Sequence, residues 1–391
     1  MNMRPLRVVI VGGGLSGLYA AFLLEQQGIH DYVLLEARDG VGGRIASASM
    51  PANPGPVPAS MAKDVDRFDL GPTWFWPTFQ PELDRLIRDL NLQRFEQFDA
   101  GDTLAERAPN EPPMRVRGYA SSPASMRLVG GMGELVDALH LRLDATRIVT
   151  GQAVRLMRAT DSHVEVESID ASGRTATWLA EHVLLAIPPR LAEAGIDFTP
   201  PLPQPLAQQW RATATWMAPH AKYIAIYDVP FWREQGLSGE ARSSHGPLGE
   251  IHDASMPGGS AALFGFFGIP ARIRKSVADE VLRAHCRAQL ARLFGPQAAQ
   301  PKAEFLKDWA LDPYTATSAD LESAGQHGEA PAAGAGAGPW RSRLTGIASE
   351  WSRQFPGYVA GAIDAARLGL QSLPARSDIP VNSLIQMGSS Q

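Results

Sequence analysis

The run "RVVIV" (residues 7–11) carries apolar, β-branched residues without polar alternation. That is the pattern of a buried parallel strand. A glycine turn, "GGGLSG", follows. "LSGLYAAFLLEQQG" then places Leu15, Leu18, Ala21, Phe22 and Leu24 on one stripe at helical spacing, with Gly28 as a stop. "YVLLEA" reads as a second strand. After Ile45, "ASASMPANPGPVPASMAKD" is rich in Pro, Ala and Ser and predicts an exposed loop. "PELDRLIRDLNL" has the spacing of an amphipathic helix, "GDTLAERAPNEPPM" reads as polar and irregular, and "GGMGELVDALHLRL" as a glycine turn with another helix.

Strand character returns in "EVESIDASGRTATWLA", a hairpin turning at Gly173, and in "HVLLAIPP", a separate buried strand closed by prolines. "SVADEVLRAHCRAQLARLFG" is helical, with Val277, Val281, Leu282, Leu290 and Leu293 as its apolar positions. "LESAGQHGEAPAAGAGAGPW" is of low complexity and predicts a mobile segment. Order resumes at "RLTGIASEW", and "GYVAGAIDAARLGLQSL" predicts a last helix. The tail "DIPVNSLIQMGSSQ" follows neither period, and no internal repeat is visible.

One apolar run contains a charge. In "WMAPHAKYIAIYDVPFW", Lys222 precedes an extended apolar stretch. Residues two apart share a face of a strand, so Lys222 lies beside Ile224 and Ile226, with Tyr223, Ala225 and Tyr227 opposite. A lysine there either runs its ammonium out to water along an apolar stem or has a chemical role.

Composition narrows the classes. The 391 residues fit one to three domains, and a formal charge of −5 offers no electrostatic attraction to nucleic acid or anionic membranes. One cysteine, Cys286, excludes an intrachain disulfide framework and reads as a packing residue. No secretory signal and no apolar run of membrane-spanning length is visible, so the expectation is a cytoplasmic protein without a membrane partner. None of the nine histidines has metal-ligand spacing; no metal is expected.

Gly12, Gly14 and Gly17 match G-x-G-x-x-G between a strand and a helix, and a second strand ends at Glu36, 19 residues after Gly17. This is the context of a dinucleotide site. Gly12 permits the sharp turn, Gly14 lets the backbone approach a pyrophosphate, and Gly17 lets the helix pack on the strand. The helix start at Leu15 and Ser16 offers free N–H groups to phosphate. Glu36 would accept hydrogen bonds from a ribose and disfavours a 2′-phosphate, which argues against NADP. Ala37 and Arg38 adjoin it. The second glycine pair and cation, Gly42, Gly43 and Arg44, suit a longer dinucleotide such as FAD.

From here the chain resembles the flavin-dependent amine oxidases, the family of monoamine and polyamine oxidases. "FDLGPTW" (Phe68 to Trp74) resembles the family's D-x-G segment beside the flavin ring, which brings Gly71, Pro72, Thr73 and Trp74 into the cofactor set. "LVGGMGELVDAL" and "HVLLAIPPRL" resemble two further family segments. "GQAVRLMRATDSHVEVES" resembles the strand whose valine, Val154, meets the adenine through its backbone. "APHAKYIAIYDVPFWREQGLSG" is similar to the segment with the active-site lysine, at Lys222. "KDWALDPYTAT" is similar to the Trp segment near the flavin, at Trp309. "GIASEWSRQFPGYVAGAIDAA" resembles the C-terminal flavin motif, with Glu350 at its acidic position and Gly357, Tyr358 and Val359 at the helix start.

The resemblance implies an α/β chain with a Rossmann-like FAD-binding domain of the glutathione-reductase-like type and an interleaved, smaller α+β substrate domain. Residues 1–78, 127–205 and 312–391 would form the first, and 79–126 with 206–311 the second. It implies hydride transfer from an amine α-carbon to FAD, O₂ reoxidation to H₂O₂, and imine hydrolysis. Lys222, Tyr358 and Trp309 would be the catalytic set. "YTATSAD" lacks the cysteine through which some members bind flavin covalently, so FAD is expected to be held noncovalently. Ala319 falls where some members place a second cage tyrosine, leaving Tyr358 with Trp351, Trp74 or Trp76 as replacement partners. The insert after "TWFWP" is short, and no membrane-anchoring tail like that of the mitochondrial members is expected. Three other readings stay open at this stage: a desaturase, an amino-acid oxidase using Arg115, Arg233 or Arg242 for a substrate carboxylate, and a flavoprotein acting as a binding module.

Overall fold

The computed structural model describes residues 4–50, 66–108, 111–118, 120–321 and 328–374. Two sheets organise it. The first has eight strands. Its central strand, Leu6–Val11, is flanked in parallel by Tyr32–Leu35 and by the long strand Thr175–Leu185. Both neighbours bury it, which explains its unbroken apolar sequence. Outward from Thr175–Leu185 lie Val164–Ile169, Ala153–Ala159 and Asp197–Thr199, and Leu344–Gly346 pairs with its C-terminal end. Helices Leu15–Gln26, Gly133–His140 and Val359–Gln371 pack on one face of this sheet in a single apolar core.

The second sheet has seven strands, in the order Ala303–Asp308, Ala221–Tyr227, Ala261–Phe267, Leu248–Asp253, Leu237–Ser243, Asp102–Glu106, Met114–Val116. Strand Ala221–Tyr227 is buried throughout. Its alternation separates two cores, as the sequence predicts. Tyr223, Ala225 and Tyr227 join Leu282, Cys286 and Leu290 of helix Asp279–Phe294, while Ile224 and Ile226 join Phe68 and Phe264. Lys222 shares the second face, which looks towards the D-x-G segment. Cys286 is a buried packing residue, and burial pushes its thiol pKa up.

Four sequence expectations change. The stretch expected to be irregular, "GDTLAERAPNEPPM", contains strand Asp102–Glu106. Its inward residues are Leu104 and Glu106, and Glu106 is buried because Arg292 and the Ser243 hydroxyl bind its carboxylate. "HVLLA" is no separate strand, because it continues the hairpin arm through Leu185. Val281 faces solvent. The low-complexity stretch expected to be mobile is partly anchored on the nucleotide half: Ala333 and Ala335 pack against its core, Trp340 is buried and donates to the Pro200 carbonyl, and the Ala332 carbonyl receives both Trp210 and Trp351. Residues 51–65 of the expected loop and the tail beyond 374 lie outside the described residues.

We propose the two-part division expected from the sequence with one shift. Helix Pro81–Asp89 goes with the nucleotide half, because Leu83, Leu86 and Ile87 share a core with the first and last helices. Among the described residues, no helix is long and apolar enough to cross a membrane, and no cluster of three or more His, Cys, Asp or Glu could hold a metal.

Candidate active site

A cavity of about 640 Å³ runs from the first glycine turn to the second sheet. At one end it is lined by Gly12, Gly14, Leu15, Ser16, Glu36, Arg38, Gly43 and Arg44. A Cβ on Gly17 would lie 2.0 Å from the Gly12 carbonyl oxygen, and one on Gly12 (φ +110°) would lie 2.8 Å from the Ala186 carbonyl oxygen. Only glycine lets turn, helix and strand close up in this way. Gly14, by contrast, has no neighbour nearer than 3.9 Å to a Cβ. Its backbone therefore faces open space at the start of a 12-residue helix, where an anion is favoured. Gly14 also bridges to Gly42, which joins the two glycine turns. Glu36 is buried, and its carboxylate accepts from the Gly13 N–H (2.6 Å) and the Arg38 N–H (2.9 Å). That fixes it at the cavity wall with lone pairs to spare.

Arg44 brings the chain's ends together. Its guanidinium forms a fork with both carboxylate oxygens of Glu350, one at 2.9 Å, and touches the Ser349 hydroxyl at 3.3 Å. Glu350 is buried behind Arg44 and does not line the cavity. Arg38 is held by Asp312 (2.6 Å) and lies over the Tyr314 ring.

Gly71, Pro72, Thr73 and Trp74 line the middle of the cavity. Gly71 has no room for a side chain, because a Cβ would lie 2.1 Å from the Arg44 carbonyl oxygen. Lys222 supports this loop from behind. It is 1 % exposed, and its ammonium donates to the Thr73 hydroxyl (2.6 Å) and the Gly71 carbonyl (3.2 Å), with the Phe264 ring face 4.0 Å away. Burial lowers its pKa to about 7, with Arg127 pushing the same way and Asp69 opposing. Asp69 is also buried, and desolvation raises its pKa against the pull of Lys222 and Arg127.

Gly357, Tyr358 and Val359 line the cavity where the last helix begins. The other aromatic groups of the lining are Trp74, Trp76, Trp216, Phe266 and Phe267, with Tyr314 beside Arg38. Several expected residues are elsewhere. Trp309 is buried behind the loop, its indole donating to the Leu70 carbonyl at 3.0 Å. The Val154 side chain packs in the core beneath the first sheet, which leaves the expected contact through its backbone open. Ala37, Ala319 and Trp351 do not line the cavity. Trp351 turns its ring onto Trp210, 5.4 Å away, and so is no replacement cage residue. Of the three candidate arginines only Arg242 reaches the cavity. It is held by Glu250 (2.6 Å) and Glu240 (3.5 Å), which leaves that wall no spare positive charge.

Sequence reasoning did not find Trp216, Met217 or Tyr314 as lining residues. Asp320 brings them in. Completely buried, it binds Arg190, the Thr215 N–H, the Thr317 N–H and the Thr317 hydroxyl. One carboxylate thus anchors both the segment carrying Trp216 and the turn after Tyr314. The only sequence trace of this is the capping pattern Thr317–Asp320.

The groups present fit FAD. There is an open helix N-terminus for phosphate, a fixed carboxylate for ribose, and a long cavity running on to an aromatic pocket. The chain's single cysteine is buried away from it, so no thiol is available for a covalent link. Comparison with known proteins agrees. The sequence profile of the flavin containing amine oxidoreductases matches residues 114–369, and that of the NAD(P)-binding Rossmann-like domain matches residues 10–90. A probable flavin-containing monoamine oxidase A of Dictyostelium discoideum is 24 % identical over 92 % of this chain and 95 % of its own length. A putrescine oxidase of Kocuria rosea is 27 % identical over 62 % of this chain and 51 % of its own length. Among solved structures, a wild-type putrescine oxidase bound to putrescine superposes with a TM-score of 0.73 at 20 % identity, covering 94 % of this chain and 99 % of that one. Cyclohexylamine oxidase from Brevibacterium oxydans gives 0.74 at 19 % identity, covering 94 % and 98 %. The chain belongs to the flavin containing amine oxidoreductases and is an FAD-dependent oxidoreductase acting on the CH–NH bond of amines.

Proposed function

We propose that FAD lies noncovalently along the cavity, from Glu36 at its ribose end, past Gly14 and Arg44, to the Gly71–Trp74 loop, and that an uncharged amine with an apolar body is oxidised in the aromatic pocket beyond. The observation that carries this is the buried lysine hydrogen-bonded to the Gly71–Trp74 loop, which lines one cavity with the dinucleotide cradle. When bound, FAD would supply the two-electron acceptor for amine oxidation and pass those electrons to O₂.

The protein's share is positioning and proton control. Tyr358, 39 % exposed at the helix start, presents a ring to the amine. Trp216 is the lining aromatic that we assign to the wall left empty by Ala319. Trp74 is locked by its indole bond to Gln97 (2.8 Å) and by edge contact with His252. Phe266 and Phe267 keep the pocket dry. Lys222, with a pKa near neutrality, changes charge in the working pH range, which suits proton exchange during flavin reoxidation. The pairing of Arg242 with two glutamates favours an amine over an amino acid.

Purified protein tests this. The expected result is a yellow preparation whose flavin absorbance bleaches on adding an apolar primary or secondary amine without O₂, and which releases peroxide with O₂. A yellow protein that no amine bleaches overturns the amine reading. Lys222→Met is expected to keep FAD bound and to slow reoxidation.

A further inference from the structure

Lys222 does not itself face the cavity; Thr73 does. Around the lysine's ammonium stand the Gly71 carbonyl, the rings of Phe264 and Phe266, and the Thr73 hydroxyl oxygen. A backbone oxygen and two ring faces cannot pass a proton onward. The Thr73 hydroxyl can. Its oxygen accepts from Lys222 at 2.6 Å, and its own proton is left to donate. The residue is 4 % exposed and belongs to the cavity wall. We propose that the Thr73 hydroxyl is the relay through which Lys222 exchanges protons with the cavity.

The exchange balances within the residues named. When a base in the cavity, such as a water or hydroxide, takes the hydroxyl proton, the Thr73 oxygen takes one from the Lys222 ammonium. One N–H bond breaks, one O–H bond forms, the threonine is regenerated, and Lys222 is left as the neutral amine. The reverse sequence recharges it. Charged groups on the elements packed against the Lys222 face include Asp69, Arg127, Lys307 and Glu250, with Arg67 tied to Asp137; Glu304 and Asp308 stand opposite Ala225 and Ala221 and so lie on the other face. Lys307 lies opposite Lys222 on the neighbouring strand and is tied to Asp312. Glu250, opposite Phe266, is tied to Arg242 and His252. Asp69 and Arg127 are the two whose charges act on Lys222, in opposite directions. Gly71, Phe266 and Thr73 all line the cavity, but among these contacts the Thr73 hydroxyl alone can both take a proton from the lysine and give one to the cavity.

The inference rests on the reading of Lys222 as the group that supports reoxidation, and the test separates the two. Holoenzyme carrying ¹³Cε-lysine has five lysines to resolve, and the Lys222 signal is the one missing from Lys222→Met. Its titration is read by NMR in the wild type, Thr73→Val and Thr73→Ser, alongside stopped-flow reoxidation against pH. Valine keeps the shape and removes the acceptor of the ammonium. The Lys222 pKa is therefore expected to fall by about one pH unit or more and reoxidation to slow about tenfold or more. Serine keeps the hydroxyl and is expected to restore both. A packing role predicts the opposite order, with valine silent and serine perturbed. If Thr73→Val leaves titration and reoxidation unchanged while Lys222→Met slows reoxidation, the relay is wrong and the lysine's role stands. If Lys222→Met also reoxidises normally, the role itself fails and the relay with it.

Discussion

Asp69 shows how one side chain sets the chemistry of another. It precedes the Gly71–Thr73 loop and is buried, and one carboxylate oxygen accepts from the Met132 N–H (2.7 Å) and the Ser47 hydroxyl (3.1 Å). The other oxygen has no hydrogen-bond partner among the described residues, so its charge is felt by Lys222 and Arg127 without a local donor to quench it. The sign of its effect follows. A negative neighbour favours the ammonium form, so Asp69 holds the Lys222 pKa higher than burial alone would. Asp69→Asn removes that support while Arg127 still pushes downwards, and the Lys222 pKa drops below about 7. The inflection that Lys222 gives to the pH profile of reoxidation is then expected to move to lower pH. Stopped-flow traces from pH 5 to pH 9 would show it; an inflection that stays in place, or rises, breaks the electrostatic link between the two residues.

Strand Thr175–Leu185 illustrates the same competition at the level of an element. It serves three partners in turn, and its inner part holds His182, 3 % exposed, between the Ser342 carbonyl (3.0 Å) and the Thr345 hydroxyl (3.0 Å). Burial lowers its pKa from 6.5 to about 4. Between those values the unfolded chain binds a proton that the native state refuses, so unfolding free energy must fall as pH drops from 6.5 towards 4. The stabilisation is complete above 6.5. At about 1.4 kcal/mol per pH unit the loss approaches ~3 kcal/mol. His182→Gln is expected to flatten this slope in urea titrations across that range, and an unchanged slope would place the acid sensitivity elsewhere. Such elements were unequally legible from sequence. Ala221–Tyr227 was readable because its two faces bury different apolar sets, leaving clean alternation. Asp102–Glu106 was not. One of its two strand partners, Leu237–Ser243, lies more than a hundred residues away in the sequence, the nearby one, Met114–Val116, is exposed and carries no apolar period, and its buried glutamate is satisfied by Arg292 from a distant helix. Trp351 and Trp216 were hidden for a related reason: which aromatic reaches the cavity depends on the carbonyl of Ala332 and the carboxylate of Asp320, and neither leaves a periodic trace.

For the whole molecule, the cavity exists only because distant parts of the chain are clasped together. The glycine motifs were legible because they are local, but the clasp between Arg44 and Glu350 spans 306 positions and shows in the sequence only as two unrelated charges. Arg127 makes a second tie. Buried on the strand beside the cavity loop, it donates to the Ala254 and Ser255 carbonyls of the second sheet's half, and burial lowers its pKa. The Arg44 clasp has a consequence for FAD. Glu350 neutralises a guanidinium that, in the placement proposed here, also faces the pyrophosphate, so one cation serves a protein carboxylate and a ligand anion together. Glu350→Gln leaves Arg44 only partly paired. Breaking a well-buried pair costs about 3–5 kcal/mol, and the side-chain exposure of Arg44, 19 %, puts this pair below that range. The apoprotein is therefore expected to melt several degrees lower. Bound FAD gives the freed guanidinium a new anion, and whatever binds only the native state raises stability by mass action. The rise in Tm on adding saturating FAD to apoprotein should accordingly be larger in Glu350→Gln than in the wild type, so that the two holoproteins melt closer together than the two apoproteins. Thermal scans of the four samples at one FAD concentration decide it. A smaller FAD-induced rise in the variant would mean that Glu350 aims Arg44 at the phosphates rather than competing with them for its charge.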